Sequence, residues 1–225
     1  LPLKADKGLK VFAKAYDANT KIADMASDEL KKLLGDVTLV DNPSDCDVAI
    51  FMVTPESGNY FSATKGFLEL DICENKTVCD VSETGIPLET THQETTLTGL
   101  GEMTEAAKAV RAAGGKVIIN VNITLPWMLG NVEPLADVLL VGYDTYQSAT
   151  LDVIFGRFSP VGKLPITLPK NDAVIAVDAA GKCISPNDVP GIDKDLYMPD
   201  ALKDENGKAY AYRDSAGHYY EMDFS

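Results

Sequence analysis

Three short runs of apolar residues constrain the fold of this chain more than any other feature of its sequence. They read V-A-I-F-M-V at 48–53, K-V-I-I-N-V at 116–121 and V-L-L-V at 138–141. Each run has the length of a strand and lacks polar alternation, which is typical of strands covered on both faces in a parallel sheet. Such a sheet needs helices on its faces, and these lie between the strands in the sequence.

Segments with helical composition do separate these runs. S-D-E-L-K-K-L-L at 27–34 starts with Ser27 as a capping residue and is followed by Gly35. E-M-T-E-A-A-K-A-V-R-A-A at 102–113 precedes two glycines. Further predicted elements are strands at 10–16 and 37–40, a helix at 148–155 and a proline-flanked edge strand at 164–168. We therefore predict an α/β fold with a mostly parallel sheet sandwiched by helices.

Two stretches show no sustained periodicity. Residues 54–100 are polar and rich in Thr, and only 66–72 within them has the composition of a strand. Residues 170–225 are dominated by Gly, Pro, Asp and Asn and end in an aromatic segment at 210–224. We predict an α/β sandwich domain at 1–169 and an extended, irregular C-terminal tail at 170–225 that packs on the same or a neighbouring domain.

The charge balance argues against two classes of partner. The chain has 20 Lys and Arg against 34 Asp and Glu, for a net charge of −14, and only three of the cations are Arg. Binding to nucleic acid or to an anionic membrane surface needs clustered cations. In addition, no apolar run approaches the roughly 18 residues of a membrane span. The sequence therefore predicts neither a nucleic-acid nor a membrane partner.

Motifs for cofactors and metals are missing from the sequence. No G-x-G-x-x-G follows the first predicted strand, and there is no P-loop. The two His and four Cys do not have the spacing of metal ligands. We therefore predict no cofactor and no metal. Cys73 and Cys79 flank a polar turn, where they either form a hairpin disulfide or remain thiols.

The loop that follows the 48–53 strand carries the candidates for chemistry, because ligands bind at the carboxyl ends of parallel strands. It contains Glu56 and Glu69 among other acids, close in sequence to Tyr60 and Phe67. Carboxylates beside aromatic rings suit a sugar site with a general acid, although loop acids are also commonly solvated. Trp127 follows another buried strand and is either a sugar-stacking platform or a packing residue at the end of the sheet.

A long segment at 120–169 has the motifs of a known family. It contains N-V-N-I-T-L-P-W-M-L-G-N, then L-A-D-V-L-L-V-G-Y, then a helix that leads into F-G-R-F-S-P-V-G-K-L-P at 155–165. This order resembles the C-terminal α/β sandwich domain of glycoside hydrolase family 3, the β-glucosidase-like enzymes, with their N-P-S-G-K-L-P signature. L-P-L-K at the start and S-A-G-H-Y-Y-E-M-D-F at 215–224 also resemble the family, so the resemblance covers nearly the whole chain.

The resemblance implies a role in hydrolysing O-glycosyl bonds of β-glycosides with retention. The family's nucleophilic Asp belongs to an N-terminal barrel, which implies that barrel and a β-glycoside or oligosaccharide as partners. Without the barrel, we expect the 225-residue chain to be inactive. The acid/base Glu of related enzymes lies in a Y-T-E-T-K-G-D-N-like loop; the matching residues at 60–67 read Y-F-S-A-T-K-G-F, with Ala63 at the position of the Glu.

That substitution leaves the acid/base residue to be assigned among other carboxylates of the loop. Glu69 is the first candidate and Glu56 the second. The resemblance further implies sugar contacts from Tyr60, Lys65 and Phe67, beside Trp127. The alternatives are a non-catalytic carbohydrate-binding or scaffold module of the same fold, which Ala63 favours, and a flavodoxin-like domain that binds a nucleotide or flavin, against which the missing glycine loop argues.

Overall fold

The computed structural model describes residues 1–57, 68–82, 86–175 and 194–225. The chain divides into two compact units, each assembled from three separate stretches of sequence. Unit 1 consists of Leu1–Glu56, Thr95–Thr124 and Leu135–Val161, and unit 2 of Ser57–Glu94, Leu125–Pro134 and Gly162–Ser225. The predicted boundary between residues 169 and 170 is a different division of the chain, and it stays a prediction.

The described residues form seven strands and four α-helices. In chain order these are β1 (Lys10–Asp17), α1 (Thr20–Leu33), β2 (Thr38–Leu39), β3 (Val48–Thr54), β4 (Lys76–Val81), β5 (Pro87–Glu94), α2 (Leu100–Ala112), β6 (Lys116–Asn122), β7 (Val138–Gly142), α3 (Gln147–Ile154) and α4 (Asp172–Ile175). The predicted strands at 10–16, 37–40, 48–53, 116–121 and 138–141, and the predicted helices at 102–113 and 148–155, each fall on one of these elements.

Unit 1 is built on a five-stranded sheet in the order β2-β1-β3-β6-β7. All four strand pairs are parallel, which confirms the predicted α/β class. β3 lies at the centre, and its six residues from Val48 to Val53 are all buried. This position explains why the segment has no polar residues, since both of its faces are covered.

Helices cover both faces of this sheet. Leu30 and Leu34 of the α1 region and Leu151 and Ile154 of α3 pack with alternate residues of β1, β3 and β6 in one buried cluster. The other residues of β1 point to the opposite face, where Phe12 and Tyr16 contact Phe51 edge-on. α2 packs against β3 and β6 through its buried residues Met103, Ala106, Ala107 and Val110.

The predicted start of the first helix at Ser27 was wrong. α1 begins at Thr20, and the side chain of Asn19 caps it by accepting a hydrogen bond from the backbone N–H of Lys21. Ser27 lies inside the helix and is buried, where its Oγ donates to the carbonyl of Ala23 (2.8 Å) and accepts from the backbone N–H of Ala15 (2.9 Å). The hydroxyl therefore ties α1 to β1 instead of capping a helix.

Unit 2 contains an antiparallel hairpin of β4 and β5, with Lys76 opposite Glu94 and Cys79 opposite Thr91. No strand was predicted for residues 76–94, and that interpretation was wrong. The proposed strand at 66–72 lies partly outside the described residues, and its described part has only a single bridge between Asp71 and Met128. Within the described residues, Cys73 and Cys79 form no disulfide, and the Cys73 thiol lies 3.8 Å from the Glu94 carbonyl oxygen.

The C-terminal residues close unit 2. The backbone N–H groups of Leu164 and Leu168 donate to the carbonyls of Phe224 and Tyr220, both at 2.9 Å, so the predicted strand at 164–168 bonds to the tail and is not a sheet edge. The Tyr220 and Phe224 rings stack with centroids 5.0 Å apart. No helix in the described parts of the chain has both the length and the apolar character that crossing a membrane requires.

Candidate functional site

Glu56 lies two residues beyond β3, at the carboxyl edge of the unit 1 sheet. Its backbone N–H donates to the carbonyl of Thr96 at 2.9 Å, which fixes the start of the loop. Its side chain is exposed. Partial loss of hydration, and then repulsion from the Asp17 carboxylate, raises the pKa of Glu56 above its ordinary value. A carboxyl group that holds its proton to higher pH is suited to act as a general acid.

Glu69 lies in unit 2 and is held by its neighbours. One carboxylate oxygen accepts hydrogen bonds from the Asp71 backbone N–H (2.8 Å) and from Lys76 Nζ (3.1 Å), and the side chain is only 7% exposed. Lys76 Nζ also lies 3.2 Å from Asp71 Oδ2 and 3.0 Å from Asp172 Oδ2. The carboxylate of Glu69 is therefore one of three that surround a single ammonium group, an arrangement typical of a structural ion cluster.

Asp71 belongs to the same ion cluster. Burial raises the pKa of Asp71, the ammonium of Lys76 opposes this shift, and the Asp172 carboxylate adds to it. The side-chain amide of Asn131 donates to Asp71 Oδ1 (3.1 Å) and to the carbonyl of Ile72 (3.0 Å). The ion cluster of Glu69, Asp71, Lys76 and Asp172 thus joins the segment before β4 to residues far away in the sequence.

Trp127 belongs to unit 2 and is fully buried, as are Met128 and Leu129, which follow it in the sequence. Its indole Nε1 has no hydrogen-bond partner among the residues that the structure describes. Because no face of the ring is open to solvent, this arrangement favours the packing role over the sugar-stacking platform, the other role considered for a lone Trp.

The positions of the other predicted site residues cannot be compared with those of Glu56, Glu69 and Trp127. Tyr60, Lys65 and Phe67, together with Ala63, lie outside the described residues. Their sugar contacts therefore stay predictions. Glu56 and Glu69 belong to different units, so each is characterised by its own surroundings.

A cleft of about 350 Å³ opens at the carboxyl edge of the unit 1 sheet. The ends of β1, β3 and β6 and the turn after β7 contribute to it; its polar lining includes Asp17, Thr54, Asn120, Asn122, Asp144 and Gln147. The chain runs from β1 outward to β2 and then back across to β3, so the strand order reverses here. This is the place where open parallel sheets bind ligands. We call it the sheet-edge cleft.

Asp17 and Asn120 were not predicted as site residues, although both are buried polar residues of this edge. Each comes at or near the end of a predicted strand, and the rule applied to the loop after residues 48–53 also covers those ends. Asn120 carries a second signal, because it is the one polar side chain inside the otherwise apolar run V-I-I-N-V.

Comparison with known proteins assigns the chain to a family. The Glycosyl hydrolase family 3 C-terminal domain model matches residues 2–223. No curated protein matches significantly. Among solved structures, β-glucosidase 3B from Thermotoga neapolitana in complex with glycerol is 17% identical with a TM-score of 0.48, over 98% of this chain and 35% of that one. D2-BGL, a β-glucosidase from Chaetomella raphigera, is 19% identical with a TM-score of 0.43, over 80% and 28%.

The β-glucosidase from Listeria innocua in complex with isofagomine is 16% identical with a TM-score of 0.43, over 76% of this chain and 24% of that one. The chain spans about a quarter to a third of the length of these three enzymes. The family match, in contrast, extends over nearly all of its 225 residues. The chain therefore belongs to the family of glycosyl hydrolase family 3 C-terminal domains.

Proposed function

We propose that this chain is the C-terminal domain of a β-glucosidase-like hydrolase, to which it contributes part of the sugar pocket and the acid/base carboxylate. The observation that carries the proposal is the family match over residues 2–223. Retaining hydrolysis of a β-glycoside uses two carboxylates, one as nucleophile and one as acid and then base. With the nucleophile on an N-terminal barrel, the second carboxylate falls to this chain.

Glu56 is our first candidate for that carboxylate. It follows the central strand at the carboxyl edge of the sheet, its pKa is raised, and among the described residues it has no ion-pair partner. Glu69 has the opposite surroundings, because Lys76 and a backbone N–H already engage it. We therefore place Glu56 before Glu69, the reverse of the order that the sequence alone favoured.

The test uses the full-length enzyme that contains this chain, with the variants Glu56→Gln and Glu69→Gln. Loss of an acid/base residue slows hydrolysis by about 10²–10⁴-fold. The loss is larger for an aryl β-glucoside with a poor leaving group than for one with a good leaving group, and azide restores turnover by replacing the base-activated water. We expect this pattern for Glu56→Gln. Azide rescue of Glu69→Gln, or full activity of Glu56→Gln, would contradict the assignment.

The 225-residue chain alone provides a second test. A lone acid/base carboxylate cannot form the glycosyl-enzyme intermediate, so we expect no turnover of an aryl β-glucoside by the purified chain. Addition of the barrel, expressed separately, is expected to restore hydrolysis. Robust release of the aryl group by the chain alone, proportional to its concentration, would contradict the division of catalytic residues between two domains.

A non-catalytic sugar-binding module of the same fold is the second candidate, because Ala63 stands at the position of the family's acid/base Glu. Calorimetric titration of the full-length protein with glucose, xylose or N-acetylglucosamine distinguishes the two. Millimolar binding without turnover of any aryl β-glycoside supports the module, and turnover supports the hydrolase.

A further inference from the structure

Asp17, the last residue of β1, is a buried carboxylate without a cationic partner. It is 5% exposed, and none of the Lys, Arg or His residues that the structure describes forms an ion pair with it. Its Oδ1 accepts a hydrogen bond of 2.8 Å from the backbone N–H of Asn19, the residue that caps α1. A buried charge costs stability unless a partner compensates it. Such a group at the carboxyl edge of a parallel sheet is a candidate for a functional role.

Backbone hydrogen bonds hold Asp17 and Glu56 to one short segment of unit 1. Asp17 lies opposite Thr54 in the parallel pair of β1 and β3, so Glu56 follows two residues beyond this pair. The backbone N–H of Thr98 donates to the carbonyl of Asp17 at 3.0 Å. The backbone N–H of Glu56 donates to the carbonyl of Thr96, which is fully buried, at 2.9 Å. The segment 96–98 therefore fixes the backbone of both acids.

The charged groups on the elements around Asp17 leave its charge uncompensated. The sheet-edge cleft, which Asp17 lines, also receives Glu29 from α1 and Asp144 from the turn after β7. None of the described lining residues is a Lys, Arg or His. On β1 itself, the ammonium of Lys14 is paired with Glu102 of α2. The Asp17 carboxylate therefore acts on its surroundings as a negative charge, and burial limits how far water and salt screen it.

A negative charge near Glu56 favours the protonated form of that carboxyl. Partial loss of hydration, and then repulsion from Asp17, raises the pKa of Glu56. In the first step of retaining hydrolysis, the acid/base group must deliver a proton to the departing glycosidic oxygen. A raised pKa keeps more of the carboxyl protonated towards neutral pH, which widens the pH range in which this step can proceed.

We propose that Asp17 is a positioning residue for the acid/base carboxylate: its buried charge acts on Glu56, and its backbone anchors the segment to which Glu56 is hydrogen-bonded. This role is exerted through Glu56 and requires no contact between Asp17 and the substrate. The inference rests on the proposed function, in which Glu56 is the acid/base residue, and it adds the group that controls the protonation of that residue.

The test is the pH dependence of kcat/KM for an aryl β-glucoside, measured with the full-length enzyme that contains this chain. The basic limb of this profile reports the ionisation of the acid in the free enzyme. Asp17→Asn keeps a side-chain oxygen for the N–H of Asn19 and removes the charge. We expect its basic limb to move to lower pH by about 0.5 unit, with about a threefold loss of kcat/KM above the limb and little change below it. A purely structural defect would lower kcat/KM by the same factor at every pH.

Two further variants separate this inference from the proposed function. Asp28→Asn, the matched control, removes an exposed carboxylate of α1 that does not line the cleft, and its basic limb should coincide with that of the unaltered enzyme. Adding Asp17→Asn to Glu56→Gln should leave the residual pH profile unchanged, because no titrating Glu56 remains. Full activity of Glu56→Gln contradicts the proposed function. A slow, azide-rescued Glu56→Gln together with an unmoved basic limb in Asp17→Asn contradicts only the role of Asp17.

Carbon nuclear magnetic resonance of the unaltered 225-residue chain gives the answer if Asp17→Asn does not fold. The side-chain carboxyl carbons of Glu56 and Asp17 report the ionisation of each group. We expect Glu56 to titrate above the ordinary value of about 4.3 for Glu, with a second inflection in its curve where Asp17 ionises. The inference is overturned if Glu56 titrates at the ordinary value or if its curve lacks the inflection of Asp17.

Discussion

The phenol of Tyr212 donates a hydrogen bond of 2.9 Å to the carboxylate of Glu133, and both side chains are buried within unit 2. The other carboxylate oxygen accepts from Ser215 Oγ at 3.1 Å. Burial, and then the hydrogen bond to Glu133, raises the pKa of Tyr212, so the phenol keeps its proton well above neutral pH. This bond connects the C-terminal tail to a segment almost eighty residues earlier in the chain.

We expect Tyr212→Phe to lower the free energy of unfolding of the chain by about 1–3 kcal/mol, because the buried Glu133 oxygen loses its donor. Guanidinium denaturation measures the loss. Tyr146→Phe is the matched control, since that residue is 84% exposed and its phenol has no hydrogen bond to a described residue. Equal losses in the two variants would contradict the importance of the Tyr212–Glu133 bond.

Replacing Lys76 tests the ion cluster of unit 2. Although burial opposes it, the carboxylates of Asp172, Glu69 and Asp71 raise the pKa of Lys76, so the ammonium is fully charged at neutral pH. In Lys76→Met these carboxylates lose their shared cation, and we expect a loss of about 1–3 kcal/mol or more.

The control for the ion cluster is Lys108→Met, which removes an exposed i,i+3 ion pair with Glu105. Exposed pairs contribute about 0–1 kcal/mol, so the unfolding midpoint should hardly change. If Lys76→Met is no less stable than Lys108→Met, the cluster does not stabilise unit 2.

The hairpin of β4 and β5 carries a histidine between two carboxylates. His92 Nδ1 lies 2.5 Å from Asp80 Oδ1, and Nε2 lies 3.1 Å from Glu94 Oε1. The hydrogen bond with Asp80, opposed by burial and supported by Glu94, raises the pKa of His92. A raised folded-state pKa stabilises the fold below the unfolded value of about 6.5, and this contribution is lost as pH rises through the folded value.

We therefore expect the urea midpoint of the unaltered chain to fall between pH 6 and pH 8.5 by more than that of His92→Gln, in which neither carboxylate faces a titrating ring. Gln93→Ala, a change on the same strand that leaves His92 in place, is the control and should follow the unaltered chain. Parallel pH profiles for His92→Gln and the unaltered chain would contradict a stabilising imidazolium in the hairpin.

Gly115 permits a close approach of backbone segments before β6. A Cβ there would lie 2.8 Å from Val110 Cγ1 and 2.9 Å from the carbonyl oxygen of Cys46. Because the Cys46 contact is with backbone, it cannot be relieved by a side-chain rotation, and we expect Gly115→Ala to cost about 1–3 kcal/mol. Gly162→Ala is the control, since a Cβ there would have no atom of a described residue within 4 Å apart from its chain neighbours, and we expect a change of at most about 0.5 kcal/mol.

The sheet could be predicted from the sequence because a strand buried on both faces forms a continuous run of apolar residues. β3 and β6 are apolar at nearly every position, and their length of seven residues and their Val and Ile content favour a strand over a buried helix. The start of α1 was misplaced for a related reason. The acids after Ser27 are typical of the first turn of a helix and therefore predicted the start there. The residues after the actual cap at Asn19, T-K-I-A-D-M-A, mix polar and apolar types and indicate a helix start only weakly.

The hairpin was missed because its stability comes from partners that are distant in the sequence or across the turn. β5 reads P-L-E-T-T-H-Q-E, and its residues from Pro87 to Thr91 are all exposed, so no apolar alternation marks it as a strand. At the candidate site, Glu56 was found because it follows a buried strand. Asn120 was not predicted because the carboxyl-end rule was applied to the strand at 48–53 and not to the strands beside it.

The hydrogen bonds that complete unit 2 imply that unit 1 can fold before unit 2 during biosynthesis. Unit 1 has all of its residues once Val161 has left the ribosome, whereas unit 2 needs Tyr220 and Phe224 to bond Leu168 and Leu164. At about 5–20 residues per second, the interval lasts several seconds. During that time Trp127, buried in the finished protein, has no completed core to enter, so nascent chains arrested before residue 220 should be the ones that recruit chaperones.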